Sequence, residues 1–393
     1  MTWTHEDAMT WAESMVPALA ERAAQAEQLR EVPQDTMDDC EAVDAFALVV
    51  PERSGGHGLG FRSLTEVGRI LAHGCMSSAW TVTFLMLHNW FIARGPKEFQ
   101  DAIWSDKTHA MIPAPLAPTG TARPVDGGYV MTGRWQWATG VMHADWVMVN
   151  CLIDRGDGGP PEGLFCMAPI EDVTVDDVWH TSGMRGTGSN DVVANDLFVP
   201  DVLTLAGADL RGDDGVPGAA IHPEPFISYP MTPVLVNVAA APALGGAEAA
   251  VDGFRDHARA RVLPYSMGQR QADFAGTQIR LSDARATVRA ARLVWRDSID
   301  RLCDTYDDGR QIKREDRGEF RLAAAHVVRL SRSAVNTALE GAGASVYFET
   351  SPLQRIQRDI ETIKGHVVYD WDRAAQLAGK LELGVEPAPT DML

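Results

Sequence analysis

The sequence predicts an α+β fold, mainly α. A helical N-terminal domain at residues 1–110 and a helical C-terminal domain at 221–393 enclose an antiparallel β-domain at 111–220. Three observations predict it. Trp11, Met15 and Leu19 recur at helical spacing near the start. Short β-branched or aromatic runs broken by Gly- and Pro-rich turns follow, with no helical pattern between them. Helical periodicity then returns near residue 230 and persists to about 381.

In the first domain, Ser63-Leu64-Thr65-Glu66 reads as a capping box, with Val67, Ile70 and Leu71 as the buried face that follows. Pro96 is placed to open a helix carrying Phe99, Ile103 and Trp104. In the second domain, Asp126-Gly127-Gly128 is a turn signal. The runs YVMTGRWQW, DWVMVNCLI, GLFCMAPI and NDLFVP read as strands, with Asp154 to Glu162 as one of the turns between them. In the third, Val288, Ala291, Trp295, Ile299 and Leu302 form one stripe. Phe320, Ala323, Val327, Ala334, Ala338 and Ala342 form another. Long helices with small apolar faces predict a four-helix bundle with close helix contacts, including contacts between subunits.

Composition narrows the function. The chain has 393 residues, 45% of them hydrophobic, and a formal net charge of −19. Phosphate-backbone binding needs a basic stripe, so nucleic acid is not an expected partner. There is no uninterrupted run of 18 or more apolar residues, so a membrane span is not expected. The acidic, polar start MTWTHEDAMTWAESM lacks the features of a signal peptide, so a cytoplasmic location is expected. The five cysteines form no CxxC pair and read as reduced thiols. There is no P-loop, no HExxH and no GxSxG. Gly56-His57-Gly58-Leu59-Gly60 lacks the strand-to-helix setting of a dinucleotide fingerprint. No two of the 11 histidines lie three to five residues apart, so no helix-borne metal pair is expected. An enzyme built on this chain therefore takes a cofactor other than NAD(P)H.

Three segments carry the chemistry. They are Trp135-Gln136-Trp137-Ala138-Thr139-Gly140 with His143 shortly after, Gly183-Met184-Arg185-Gly186-Thr187-Gly188-Ser189-Asn190 before Phe198-Val199-Pro200, and Pro352-Leu353-Gln354-Arg355 before Arg358-Asp359 and His366. Their order within a helix–strand–helix texture resembles the acyl-CoA dehydrogenase superfamily, over nearly the whole chain. Dehydrogenases of that superfamily use a carboxylate base near the end of the segment that starts with the Arg-Asp pair. Here that segment reads RDIETIKGHVVYD, and the residue near that position is His366. In this the chain is similar to the oxygenase components of two-component, reduced-flavin-dependent monooxygenases. The phenolic secosteroid hydroxylases of bacterial steroid degradation are the most similar branch.

The resemblance implies an aromatic monooxygenase that takes reduced flavin (FMNH2 or FADH2) and O2, without a metal. It implies oxygen transfer to a phenolic substrate through a C4a-hydroperoxyflavin in a dry site. A separate NAD(P)H:flavin reductase would supply the flavin, and the subunits would form a homotetramer. Thr139 is implied as the hydrogen-bonding group near flavin N5, with Trp137 flanking the ring because side chains two apart on a strand share a face. His366 is implied as base or hydrogen-bond partner of the phenol, a task that suits an imidazole. His88, with Trp90 nearby, is implied to approach the substrate oxygen. Arg261, with Gly341 and Gly343, is implied to hold the flavin phosphate, although the usual Gln-Phe-Gly is missing. Ala114 stands where phenylacetate-type relatives carry a substrate-binding serine. Arg358-Asp359 is expected to be an ion pair, and Arg185 and Ser189 to lie on a loop lining the site. A dehydrogenase-like oxidoreductase and a flavin N- or S-oxygenase are the alternatives on the same fold.

Overall fold

The computed structural model describes residues 2–156, 162–212, 215–264, 266–388 and 391. The helices α1 (His5–Leu29), α2 (Gln34–Glu41), α3 (Phe61–Leu71), α4 (Met76–Arg94) and α5 (Lys97–Ile103) come first. The strands β1 (Gly120–Val125), β2 (Gly128–Ala138), β3 (Trp146–Ile153), β4 (Gly163–Pro169), β5 (Thr174–Asp176), β6 (Asn190–Pro200) and β7 (Thr204–Ala206) follow. A short α6 (Gly207–Arg211) precedes α7 (Met231–Ala260), α8 (Ala275–Asp307), α9 (Arg317–Ala342), α10 (Pro352–Ile363) and α11 (Trp371–Glu382).

The capping box forms at a different helix from the expected one. Thr4 caps α1: its side chain accepts the Asp7 N–H, and the Asp7 carboxylate accepts the Thr4 N–H. The Ser63 segment lies inside α3, which begins at Phe61 behind the extended Gly60. Ser63 Oγ is instead 2.9 Å from His5 Nδ1, and Glu66 pairs with Arg69. An earlier helix start satisfies the same amides within the helix, so the motif has no free N–H to cap.

The four predicted runs fall on β2, β3, β4 and β6, and the Asp126-Gly127 turn joins β1 to β2 with Val125 opposite Gly128. Gly127 has φ +75°, a conformation that glycine adopts at no steric cost. The turn at Asp154 to Glu162 falls largely on residues 157–161, outside the described residues. The strands make one sheet in the order β5-β6-β2-β1-β3-β4-β7. It is antiparallel except for β1 against β3, which run parallel. The sheet encloses a small core of its own around Met131, Trp135, Val147 and Val192.

The stripes on α8 and α9 are buried as expected, except Ala323, which is only half-buried. Both helices pack on α7, which also meets α3 and α4 and so joins the two helical domains. By length and hydropathy α7 could cross a membrane, although its sequence has no unbroken apolar run of 18 residues. In the fold 83% of its apolar window is buried against other helices, as a core helix requires. All five cysteines are free and buried.

Candidate functional site

Helix α4 is buried along almost its whole length, and two of its faces build the site. One carries Trp80, Phe84 and His88 at i, i+4 and i+8, the spacing that stacks side chains along a helix. Their ring centroids are 4.8 Å apart for Trp80 and Phe84 and 5.6 Å for Phe84 and His88. His366 adjoins the same row, with its ring 5.9 Å from Trp80. The other face carries Thr81 and Leu85. Gly140 is packed so closely there that a Cβ would come within 2.8 Å of the Thr81 methyl, and its φ is +76°. Gly140 and His366 thus approach one turn of α4 from different domains.

The two histidines differ in proton placement. His88 Nδ1 is 2.5 Å from the Ile112 carbonyl, which can only accept, so the proton is on Nδ1 and Nε2 carries a lone pair. Burial pulls its pKa down to about 4, against the smaller opposing effect of that hydrogen bond. His366 caps the turn Val367–Tyr369, with Nδ1 accepting the Val368 N–H at 3.4 Å. Its neutral form therefore carries the proton on Nε2. His366 is exposed, although protein crowds its ring. This desolvation pulls its pKa down to about 4 as well.

At the end of β2 the pairing with β6 shifts register between Trp135 and Ala138, and both of those residues are buried. Trp137 lies within the shift and Thr139 just past the strand end, on either side of buried Ala138. Trp137 is 56% exposed, and its ring lies 6.0 Å from that of Trp179. Thr139 Oγ1 is 3.0 Å from Ser189 Oγ.

The loop before β6 is anchored from α10. The buried Asp359 carboxylate accepts the Met184 N–H at 2.5 Å. Burial pushes its pKa up to about 7, with the Met184 hydrogen bond and Arg358 opposing. A Cβ on Gly183 would overlap the Arg358 carbonyl, so only glycine lets the loop come this close.

Several expected residues lie elsewhere. Trp90 is two positions from His88 and so faces another side of α4. It is fully buried, its N–H donates to the Phe226 carbonyl at 2.8 Å, and Arg94 lies over its ring. It is a core residue, not a substrate contact. Arg358 and Asp359 do not pair with each other. Successive helix positions point apart, and Arg358 bonds Glu27 and the Ser182 carbonyl while Asp359 faces Met184. Arg185 donates to the carbonyls of Glu27 and Thr181. Arg261 and the Gly341–Gly343 segment are brought together, for Arg261 donates to the Ala342 carbonyl between those glycines. Gly341 accommodates the Phe254 ring, and Gly343, at φ +82°, accommodates the Arg261 guanidinium. Trp80 and Phe84 were not singled out from sequence, although their spacing to His88 was the signal.

A half-exposed indole two residues from a hydroxyl, together with an aromatic row that runs to one histidine and adjoins another, fits a flat tricyclic cofactor such as flavin. Trp137 and Thr139 would hold its ring. The chain matches the family models "Acyl-CoA dehydrogenase, N-terminal domain" over residues 5–108 and "Acyl-CoA dehydrogenase, C-terminal domain" over 237–371. It is 30% identical to the flavin-dependent monooxygenase oxygenase subunit HsaA of Rhodococcus jostii, over 95% of this chain and 97% of that protein. It is 28% identical to the oxygenase component of an FADH2-dependent resorcinol hydroxylase of a Rhizobium strain, over 93% of this chain and 91% of that one. The structure of XiaF from a Streptomyces species, in complex with FADH2 and glycerol, superposes with a TM-score of 0.91 at 27% identity, covering 99% of this chain and 98% of XiaF. The chain belongs to the acyl-CoA dehydrogenase family and, within it, to the oxygenase subunits of flavin-dependent monooxygenases. Its chemistry is flavin-dependent monooxygenation of an aromatic compound, with reduced flavin as cofactor and dioxygen as co-substrate.

Proposed function

We propose that the chain is the oxygenase half of a two-component system that hydroxylates a phenol, fed with reduced flavin by a separate NAD(P)H:flavin reductase. The observation that carries this reading is the pair of neutral histidines with opposite tautomers at the two ends of the Trp80–Phe84 row. A phenol oxygen has one proton to give and lone pairs to offer. His88 Nε2 can accept the proton, and His366 Nε2–H can donate to the oxygen. Either contact draws charge toward phenolate and makes the ring carbons more nucleophilic. Two imidazoles that stay neutral at pH 7 suit this task without a buried charge.

When bound, reduced flavin activates dioxygen and supplies the oxygen atom that reaches the ring. Trp137 gives the flavin a flat wall and Thr139 gives its N5 edge a hydrogen-bond partner. Phe84 and Phe91 exclude water around His88, which protects the oxygen-transfer step from wasteful peroxide release. Arg261 with Gly341 and Gly343 is the candidate phosphate cradle. A homotetramer fits the apolar surface left on α8 and beyond α9, where Ile279, Leu293 and Phe348 are exposed.

The test mixes the purified chain with chemically reduced FMN or FAD, oxygen and a panel of phenols, and measures catechol-type product and hydrogen peroxide. Product is expected only when the flavin arrives reduced. Product from NADH and oxidised flavin with the chain alone, contaminating reductase excluded, would overturn the two-component reading.

A further inference from the structure

Thr139, Ser189 and Thr187 form a row of hydroxyls that ends on a carbonyl. Thr139 Oγ1 is 3.0 Å from Ser189 Oγ, Ser189 Oγ is 2.7 Å from Thr187 Oγ1, and Thr187 Oγ1 is 2.9 Å from the Met184 carbonyl oxygen. Each hydroxyl has one proton. The carbonyl can only accept, so Thr187 donates to Met184. Thr187 must then accept from Ser189, and Ser189 from Thr139. No other placement of the three protons satisfies all three contacts. Ser189 and Thr187 are only 3% and 2% exposed, so water does not readily substitute for a missing partner.

The root of the row is held in place. The Met184 carbonyl also accepts the Trp179 indole N–H at 2.8 Å, and the Met184 N–H donates to Asp359. Met184 itself is in the left-handed region at φ 54°.

We infer that Ser189 and Thr187 are positioning residues that turn the Thr139 proton inward, so that Thr139 offers the cleft lone pairs only. This rests on the reading of Thr139 as the partner of flavin N5. Reduced flavin carries a proton on N5 and can donate to such an oxygen. Oxidised flavin has a bare N5 lone pair and would face another lone pair. The direction of the row therefore makes the site select the reduced ring and release the oxidised one. An oxygenase that receives its flavin reduced and must exchange it after each turnover needs that preference.

The experiment measures equilibrium dissociation constants of FMN and FAD, oxidised in air and dithionite-reduced under anaerobic conditions, for the full chain and four variants. Ser189→Ala frees the Thr139 proton. Thr187→Val, nearly isosteric, lets Ser189 reverse and donate to Thr139. In both, the ratio of oxidised to reduced dissociation constants should fall roughly tenfold, the scale of one hydrogen bond gained or lost, with the larger change on the oxidised side. Thr187→Ser keeps a hydroxyl in the row and should restore the wild-type ratio. Melting temperatures show whether each variant is folded. If Ser189→Ala is not, the Thr187→Val and Thr187→Ser pair decides alone. An unchanged ratio in folded Thr187→Val, or a wild-type chain without preference for the reduced form, overturns the inference while leaving the flavin reading intact. Thr139→Val with unaltered affinity for both redox states overturns the assignment of Thr139 itself, and the inference with it.

Discussion

His88 and His366 hold their single ring protons on opposite nitrogens. His88 gives its Nδ1 proton to the Ile112 carbonyl at 2.5 Å, whereas His366 Nδ1 receives the Val368 N–H at 3.4 Å. One imidazole is thereby prepared to accept and the other to donate, although both are neutral. The backbone around each ring, not the ring itself, sets this division.

If His366 donates to the substrate oxygen, His366→Ala should leave flavin affinity unchanged. Hydroxylation should drop by roughly a hundredfold, the usual scale for a positioned acid–base group. Hydrogen peroxide should account for the missing product. Thr139→Ala should differ by releasing peroxide even when substrate is absent. Product and peroxide assays on both variants check this, and normal hydroxylation by His366→Ala would place the donor elsewhere.

Acid should destabilise the fold through His88. Its pKa lies near 4 when folded, against 6.5 as the ordinary value, so the unfolded chain binds more protons between these limits. Stability is full above about pH 6.5 and is lost as pH falls toward 4. For fully buried His88 the loss is on the order of 3 kcal/mol. Urea melts of wild type and His88→Gln at several pH values should show a shallower acid loss in the variant.

Asp359 should act in the opposite sense. Its pKa of about 7 in the fold exceeds the ordinary 3.8, so the folded chain binds the extra proton and stability falls as pH rises from about 4 to 7. Arg358, Arg355 and Glu27 are the charges around it. Asp359→Asn keeps an oxygen for the Met184 N–H and removes the charge. At pH 8 it should be the more stable chain, by up to about 4 kcal/mol, and the gain should vanish near pH 4. Parallel stability curves for the two chains would show that the carboxylate is not strained by burial.

Gly183→Ala should push the Met184 loop off α10, because the new methyl would meet the Arg358 carbonyl. A loss of roughly 2–4 kcal/mol is the expected scale for backbone overpacking. Weaker flavin binding should accompany it, since the loop roots the Thr139 row. A melting scan together with a flavin titration reads both effects.

Assembly is checked by light scattering at micromolar concentration, where four copies are expected. A stable monomer would leave Ile279, Leu293 and Phe348 exposed without a purpose and would count against a cross-subunit role for Arg261.

What the sequence determined by itself was periodic or local. The stripes of α8 and α9, the strands β2, β3, β4 and β6, and the Asp126-Gly127 hairpin follow from helical and alternating spacing and from glycine's access to positive φ. The candidate site was legible only through the resemblance of its motifs to a known family, which is what implied Thr139, Trp137, His88 and His366. What crosses between segments was decided only by tertiary structure. Ser63-Glu66 has the spacing of a cap, yet α3 starts three residues sooner and leaves it no work. Trp90 sits beside His88 in sequence but a helix turns it into the core, and Asp359 sits beside Arg358 but answers to Met184. Thr139 and Ser189 are 50 positions apart. The direction of a hydrogen bond depends on every partner in the row, and those partners meet only when the sheet, the loop before β6 and α10 pack together.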